Sequence, residues 1–161
     1  IRLKISLDKE YSCSLNNSRS KTKLQMSAPT LTFVIVGQED HPIYEVDLTG
    51  PKEQQTQYLH QFVLHSSLDA VDEQMWLSKE PHLKVVDRFN GLNVTAFVTA
   101  GNTRFLLLHD GRSDDSIRSF FTEVYELYLR VLLNPFHTPT TRITSREFDR
   151  KVKLLAKRLL G

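Results

Sequence analysis

Residues Asn93–His109, NVTAFVTAGNTRFLLLH, contain the pattern that decides the fold. Two runs rich in β-branched, aromatic and aliphatic residues, Asn93–Ala100 and Arg104–His109, each have the length of one strand. Gly101 and Asn102 stand between them, and both residue types tolerate the backbone angles of a tight turn. The stretch therefore predicts two antiparallel strands joined by a short connection.

Three further strands are predicted upstream of this pair. Leu83–Arg88 is separated from it by the turn-forming dipeptide Asn90-Gly91, so a three-stranded meander is the economical interpretation. Nearer the start of the chain, the apolar run Leu31–Gly37 predicts a buried strand. In Ile43–Leu48, the residues Ile, Glu and Asp alternate with Tyr, Val and Leu, which predicts a second strand. An acidic, proline-containing turn joins those two segments, which indicates a hairpin.

Three helices complete the predicted order β-β-α-β-β-β-α-α. The first begins at Pro51, which suits the first helical position, and continues to about Trp76. The second carries an apolar stripe over residues 117–132. The third is predicted to begin at Thr144, because Thr144 and Glu147 have the spacing of a capping box. The apolar faces of all three are predicted to cover the sheet; the residues at helical spacing in the first helix are Leu59, Phe62, Val63, Ser66, Ala70 and Val71.

The composition fits one folded domain. The chain has 161 residues, of which 40% are hydrophobic and 25% charged, and its formal net charge is +2. Residues 1–25 carry six basic and two acidic side chains, whereas the other 136 residues carry 15 basic and 17 acidic ones, which argues against nucleic-acid binding. Cys13 is the single cysteine, which excludes an intramolecular disulfide and a thiolate zinc site.

Residues 1–28 show no sustained periodicity and are rich in Ser, Asn and Lys. They are therefore predicted to be a disordered or non-native leader, and we hypothesise that Met26 is the natural start. A fusible strand or a mobile tail is the alternative. The folded domain is predicted to occupy residues 29–161.

No motif in the sequence requires catalysis, a metal or a cofactor. A glycine-rich phosphate loop, a nucleophile elbow and a paired-cysteine motif are all absent from the sequence. His65 and Asp69 lie four positions apart and could form an acid–base pair, but a hydrogen bond on a helix surface is the favoured interpretation. We therefore assign no catalytic, cofactor-binding or metal-binding residue.

Three residues of the first helix are candidates for partner binding. Asp69 and Asp72 form either the solvated edge of the helix or an acidic surface that meets another protein. Trp76 is either an anchor at an interface, since aromatic residues dominate interface energies, or a lid on the core. Residues 142–158 carry seven basic and two acidic side chains, so the last helix either meets an anionic membrane or an acidic partner, or presents a solvated outer face.

Five segments together resemble the sedlin family, small subunits of the transport protein particle (TRAPP) complex. They occur in the family's order and spacing from about Thr32 to Leu160. They are FVIVG at Phe33–Gly37, LDAVDEQMWLS at Leu68–Ser78, FVTAGNTRFLLLHD at Phe97–Asp110, NPF at Asn134–Phe136 and FDRKV at Phe148–Val152. The resemblance implies a longin-like (profilin-like) α+β sandwich, in which a five-stranded antiparallel sheet has one helix on one face and two on the other.

The resemblance also implies a function: a non-catalytic adaptor, without cofactor, in a vesicle-tethering complex of endoplasmic reticulum-to-Golgi transport. That complex activates a Rab GTPase by nucleotide exchange. The implied partners are other TRAPP subunits, with indirect contact to the Rab GTPase and peripheral membrane association through the complex. The implied location is cytoplasmic and perinuclear, at endoplasmic reticulum–Golgi membranes. In the family, the region matching Asp69 lies on a surface implicated in partner contact, so Asp69, Asp72 and Trp76 are the predicted partner-binding residues.

Two other classes of function stay open at this point. One is a regulatory longin domain of another trafficking complex, of the SNARE or clathrin-adaptor type. The other is an enzyme that uses His65 and Asp69, which predicts a polar pocket around both side chains.

Overall fold

The computed structural model describes residues 29–50 and 54–161. These residues form five strands and four helical segments in the predicted order, with the first predicted helix present as two consecutive segments. The elements are β1 (Leu31–Val36), β2 (Pro42–Asp47), α1 (Gln54–Ser66), α2 (Leu68–Leu77), β3 (His82–Phe89), β4 (Leu92–Val98), β5 (Arg104–His109), α3 (Asp114–Leu132) and α4 (Arg146–Leu159). The predicted leader and the predicted helix start at Pro51 lie outside the described residues.

The five strands form one antiparallel sheet in the order β2-β1-β5-β4-β3. The hairpin predicted from residues 93–109 is present as β4 and β5, with Ala96 opposite Leu106. Asn102, in the connecting turn, has a φ of 55°, which is the left-handed region that asparagine tolerates. β1 and β5 are buried along their whole length, and this explains why their sequences are almost uninterrupted apolar runs.

Two hydrophobic cores lie on opposite faces of the sheet. In β1, Phe33 and Ile35 belong to the core formed with α3 and α4, whereas Val34 and Val36 belong to the core formed with α1 and α2. Successive residues of a strand point to opposite faces, so the sheet is the middle layer of a sandwich. The predicted α+β, longin-like architecture is confirmed.

The first predicted helix bends at Ser67. Ser67 is buried, and its Oγ donates a hydrogen bond of 2.8 Å to the carbonyl oxygen of Leu64. A serine that bonds back to the preceding turn in this way often bends a helix. Ser67 itself keeps right-handed helical backbone angles (φ −75°, ψ −9°) and is shared by both segments: its N donates to Val63 O in α1, and its O accepts from Val71 N in α2. α1 and α2 therefore act as one bent helix on their face of the sheet.

The apolar face predicted for this bent helix is partly wrong. Leu59 and Phe62 are exposed, at 43% and 67% of their surface. Two polar residues, His60 and Ser67, are buried in their place. The full buried set is His60, Val63, Leu64, Ser67, Leu68 and Val71, which follows helical spacing but does not follow hydrophobicity.

The start of α4 differs from the predicted capping box by one residue. Ser145, not Thr144, is the N-cap, and its Oγ accepts a hydrogen bond of 3.4 Å from the backbone N of Phe148. Glu147 instead forms ion pairs with Arg150 (2.9 Å) and Lys151 (3.2 Å).

Candidate protein-binding surface

One side of the bent helix faces solvent over its whole length. Its exposed residues are Tyr58, Phe62, Asp69, Glu73 and Trp76, which we call the outer helical face. Their spacings of four, seven, four and three positions keep them on one side of a helix with 3.6 residues per turn. The 18 positions from Tyr58 to Trp76 correspond to roughly 27 Å along a straight helix at 1.5 Å per residue. This is a long surface with apolar side chains at both ends.

Trp76 is one of the most exposed large apolar side chains in the described residues, with 84% of its surface accessible, and the adjacent Leu77 is 82% exposed. The interpretation of Trp76 as a lid on the core is therefore wrong. α2 ends directly after Leu77, where the extended backbone of Ser78 leads the chain toward β3. An isolated exposed aliphatic residue needs no explanation, whereas an exposed tryptophan beside an exposed leucine is typical of a binding surface.

Asp69 and Asp72, predicted together, have different roles. Asp69 is exposed in the first turn of α2 and has no salt bridge within the described part of the chain. Asp72 lies one turn later, and its Oδ1 is 2.8 Å from Nη2 of Arg104. Asp69 is therefore free to meet another protein, whereas Asp72 already has an intramolecular partner.

Arg104 connects three parts of the fold. Its side chain is only 6% exposed, and it pairs with Asp72 on α2 and with Asp40 in the turn between β1 and β2. Arg104 itself is the first residue of β5, at the centre of the sheet. A buried cation is costly unless carboxylates neutralise it, so Asp72 contributes to holding α2 against β5, and Asp40 contributes to holding the β1–β2 turn there. We call this group the arginine clamp.

His65 and Asp69 show no acid–base arrangement. No hydrogen bond or ion pair joins these two side chains in residues 29–50 and 54–161. His65 is instead one of the residues that line a cleft of about 230 Å³ between α1 and the β1–β2 hairpin, with Val34, Pro42 and Leu64. Asp69 does not line this cleft, so the cleft is not the polar pocket around both side chains that the enzyme hypothesis requires.

His109 is buried and joins β4, β5 and the loop that follows β5. Its Nδ1 accepts hydrogen bonds from the backbone N of Gly111 (3.2 Å) and of Arg112 (3.1 Å). The proton of the neutral ring must therefore be on Nε2, which donates to Oγ1 of Thr95 at 2.9 Å. Burial lowers the pKa of His109, and the nearby charge of Asp110 acts in the opposite direction but is the smaller influence.

We expect this histidine to make the protein less stable in acid. The folded state binds the proton more weakly than the unfolded chain does, so stability is fully present above a pH of about 6.5 and falls as the pH decreases below it. Between about pH 7 and pH 5.5 the loss due to His109 is at most about 1 kcal/mol. Urea unfolding of the unchanged protein and of His109→Gln at several pH values should show a steeper pH dependence for the former. Equal slopes would contradict the assignment, and His41→Gln, at an exposed position, is the matched control.

The described part of the chain has neither a metal-ligand cluster nor a membrane-spanning helix. No group of three or more His, Cys, Asp or Glu residues there is arranged to hold a metal ion. None of its helices has the length and hydropathy required to cross a bilayer.

The described fold is that of a longin-like α+β sandwich, and its outer helical face has the character of a protein-interaction surface. The chain belongs to the sedlin family, because residues 35–158 match the family model described as Sedlin. It is 41% identical over 136 residues to the fission yeast (Schizosaccharomyces pombe) transport protein particle 20 kDa subunit, covering 81% of this chain and 99% of that protein. It is 38% identical over 135 residues to the Drosophila melanogaster probable trafficking protein particle complex subunit 2, covering 81% and 97%. It is also 30% identical over 170 residues to the Saccharomyces cerevisiae trafficking protein particle complex subunit 20, covering 80% and 97%.

Proposed function

We propose that this chain is a non-catalytic adaptor subunit of a TRAPP vesicle-tethering complex, in which it bridges other subunits of a Rab-activating assembly. The observation that carries the proposal is the outer helical face, where Trp76 is 84% exposed on a well-packed domain. The names of the three relatives, all subunits of a transport or trafficking particle, favour this complex over the SNARE and clathrin-adaptor alternatives.

The outer helical face suits an adaptor because its two apolar ends are separated by acidic residues. Tyr58 and Phe62 form one end, and Trp76 forms the other, beside Leu77. Asp69 lies between them and is exposed. Apolar area supplies affinity, whereas the charge in the middle selects a partner with basic residues at the matching position. Roughly 27 Å of helix gives room for contacts with more than one subunit.

The proposal places the protein in endoplasmic reticulum-to-Golgi transport, in the cytoplasm and near the nucleus. It contacts the Rab GTPase indirectly and reaches the membrane as a peripheral component of the complex. Rigid presentation is its mechanism: the sheet holds the bent helix, and the arginine clamp fixes α2 relative to the strands.

The first test is affinity purification of the tagged full chain from the cells that produce it, followed by quantitative mass spectrometry. Recovery of other TRAPP subunits in stable proportion is the expected result. Recovery of the chain alone, or with SNAREs or clathrin adaptors, would overturn the proposal while leaving the fold unaffected.

Replacing Asp69 with lysine should lower that recovery by about tenfold, because a charge reversal in an interface places like charges together. The free energy of unfolding should change by no more than about 0.5–1 kcal/mol, since the substitution removes only the favourable interaction of the Asp69 carboxylate with the N-terminus of α2. Asp115→Lys is the matched control, because Asp115 is likewise an exposed aspartate in the first turn of a helix, on the other side of the sheet. If both variants lowered recovery equally, Asp69 would not be a specific contact.

A further inference from the structure

The junction between α3 and α4 combines a cavity with positively charged walls and a strongly apolar tip. The cavity has a volume of about 450 Å³. Four basic or potentially basic side chains line it, with an apolar floor behind them. The basic lining residues are Arg130, His137, Arg142 and Lys151, and the floor includes Val131, Ile143 and Phe148.

The charges of two arginines that line this junction cavity, Arg130 and Arg142, are not neutralised within the described residues. Neither Arg130 nor Arg142 forms a salt bridge there, and the buried Nε2 of His137 has no hydrogen-bond partner there. On the exposed side of α4 the situation differs, because Arg150, Lys153 and Arg158 each pair with a carboxylate.

Glu147 is the one carboxylate among the residues that line the cavity. Glu147 accepts hydrogen bonds from Arg150 and forms an ion pair with Lys151, and these contacts lower the pKa of Glu147. It is therefore ionised, but its charge is already matched by two cations. The two unpaired arginines remain available to an anion, and guanidinium groups bind phosphate oxygens in a bidentate manner.

The apolar tip lies beside the cavity, in the turn formed by Asn134, Pro135 and Phe136. Phe136 is 95% exposed, and the preceding Leu133 is 81% exposed. The turn is held by two hydrogen bonds: Phe136 N donates to Oδ1 of Asn134 (3.1 Å), and His137 N donates to its carbonyl oxygen (3.0 Å). The phenyl ring is thus presented on a preorganised turn, so little conformational entropy is lost when it is covered.

α4 itself does not insert into lipid, although its sequence suggested an amphipathic membrane helix. The apolar stripe Phe148, Val152 and Ala156 is buried in the core with α3. That version of the lipid hypothesis is wrong, because core packing uses the stripe. A membrane contact at this end of the molecule must instead use the tip and the cavity.

We propose that the junction binds directly to a membrane that displays phosphorylated inositol lipids. A headgroup phosphate enters the cavity between Arg130 and Arg142, while Phe136 and Leu133 enter the boundary between headgroups and acyl chains. A basic headgroup pocket next to exposed Phe and Leu side chains is the combination that binds peripheral proteins to anionic bilayers. A soluble phosphate would use the cavity but would leave the apolar tip uncovered, which favours the lipid. The inference goes beyond the proposed function, in which membrane association occurs only through other subunits.

The experiment is co-sedimentation of the full chain with phosphatidylcholine vesicles, with and without a few mole per cent of phosphatidylinositol phosphates. Binding should require the phosphoinositide. Phe136→Ser should lower the apparent affinity by about tenfold, the value of one buried phenyl ring. The double variant Arg130→Ala/Arg142→Ala should lower it by roughly fivefold for each arginine. Because residues 1–25 carry six basic side chains, the comparison between variants is the decisive measurement.

Two matched controls separate this site from general attraction. Trp76→Ser removes a comparably exposed aromatic ring on the opposite side of the sheet, and Arg158→Ala removes an arginine that is already paired with Glu123, away from the cavity. Neither should change vesicle binding. If the cavity only binds free anions, soluble inositol phosphate should bind as well as the vesicle lipid does and should displace the protein from vesicles. Phe136→Ser would then have no effect on vesicle binding, and this result would overturn the proposal. Vesicle binding that is absent, or that is unchanged in all variants, also overturns it. So does loss of a protein partner by Phe136→Ser without any vesicle binding, which would assign the tip to a protein interface.

Discussion

Replacing Trp76 with alanine should reduce the recovery of partner subunits by about thirtyfold, the effect of losing roughly 2 kcal/mol at an interface hot spot. The reason is the combination of a large aromatic side chain, 84% exposure and a position at the end of a rigid helix. The readout is quantitative mass spectrometry of the material that co-purifies with the tagged full chain. The free energy of unfolding should stay within about 0.5 kcal/mol, because the ring makes little contact with the core.

Leu154→Ala is the control for this variant, since Leu154 is a half-exposed apolar residue of α4 on the other side of the sheet. It should leave partner recovery unchanged. If Trp76→Ala recovered partner subunits fully, the outer helical face would not be the main contact. The edges of the sheet would then be the next surface to test.

Removing the guanidinium of Arg104 should have the largest effect on stability of any polar substitution within residues 29–50 and 54–161. We expect Arg104→Ala to lower the free energy of unfolding by about 3 kcal/mol, at the lower end of the range for breaking a buried ion pair. The lower end applies because Asp40 and Asp72 are about half exposed and can be solvated when the cation is absent. Urea unfolding monitored by circular dichroism measures the effect.

Asp72→Asn distinguishes a structural role from a contact role for this residue. From the arginine clamp we expect Asp72→Asn to lower the free energy of unfolding by about 1 kcal/mol, which is less than Arg104→Ala does. Arg104 keeps its pairing with Asp40 in this variant. Partner recovery should fall far less than with Asp69→Lys. Unchanged stability together with a large loss of partners would instead make Asp72 a contact residue and would contradict the clamp. Arg150→Ala, at an exposed ion pair on α4, should change stability by less than about 0.5 kcal/mol.

The sheet could be predicted from the sequence because its strands carry local signals. β1 and β5 are buried along their whole length and are mostly apolar, since both faces of the sheet are covered, and turn residues such as Gly101 and Asn102 separate β4 from β5. α3 was equally clear, because its buried residues recur at helical spacing from Ile117 to Tyr128. In these elements the local pattern and the tertiary environment agree.

Only part of the outer helical face could be predicted: Asp69 and Trp76 were expected to contact a partner, but at the α1 end the local pattern and the tertiary environment disagree. Phe62 reads as core and is exposed, whereas His60 reads as surface and is buried. His60 lies inside because a partner is available across the core: its Nδ1 is 3.4 Å from Oγ1 of Thr32 on β1. No local pattern shows such a long-range contact. The exposed aromatic residues that result are the ones an interaction surface needs.

The arginine clamp and the junction cavity were missed for a similar reason. Arg104 and Asp72 are 32 positions apart, and only the sheet and α2 bring them together. One signal was present in the sequence: Arg104 is a charged residue at the start of an otherwise apolar strand, where an unpaired cation would be unfavourable. The junction cavity depends on the path of the loop between α3 and α4, for which spacing gives no information.

The order of the strands also determines when the protein can fold during its synthesis. β1 lies between β2 and β5, and the pairing of Leu31 with His109 closes a long loop. As the chain leaves the ribosome, the hairpin of β1 and β2 can form early, but one edge of the mostly apolar β1 has no strand to pair with until β5 emerges. Such an edge invites association between nascent chains. We therefore expect the slow step of folding to be the joining of the β1–β2 hairpin to the β3–β4–β5 meander, and a delay there would expose an aggregation-prone strand edge.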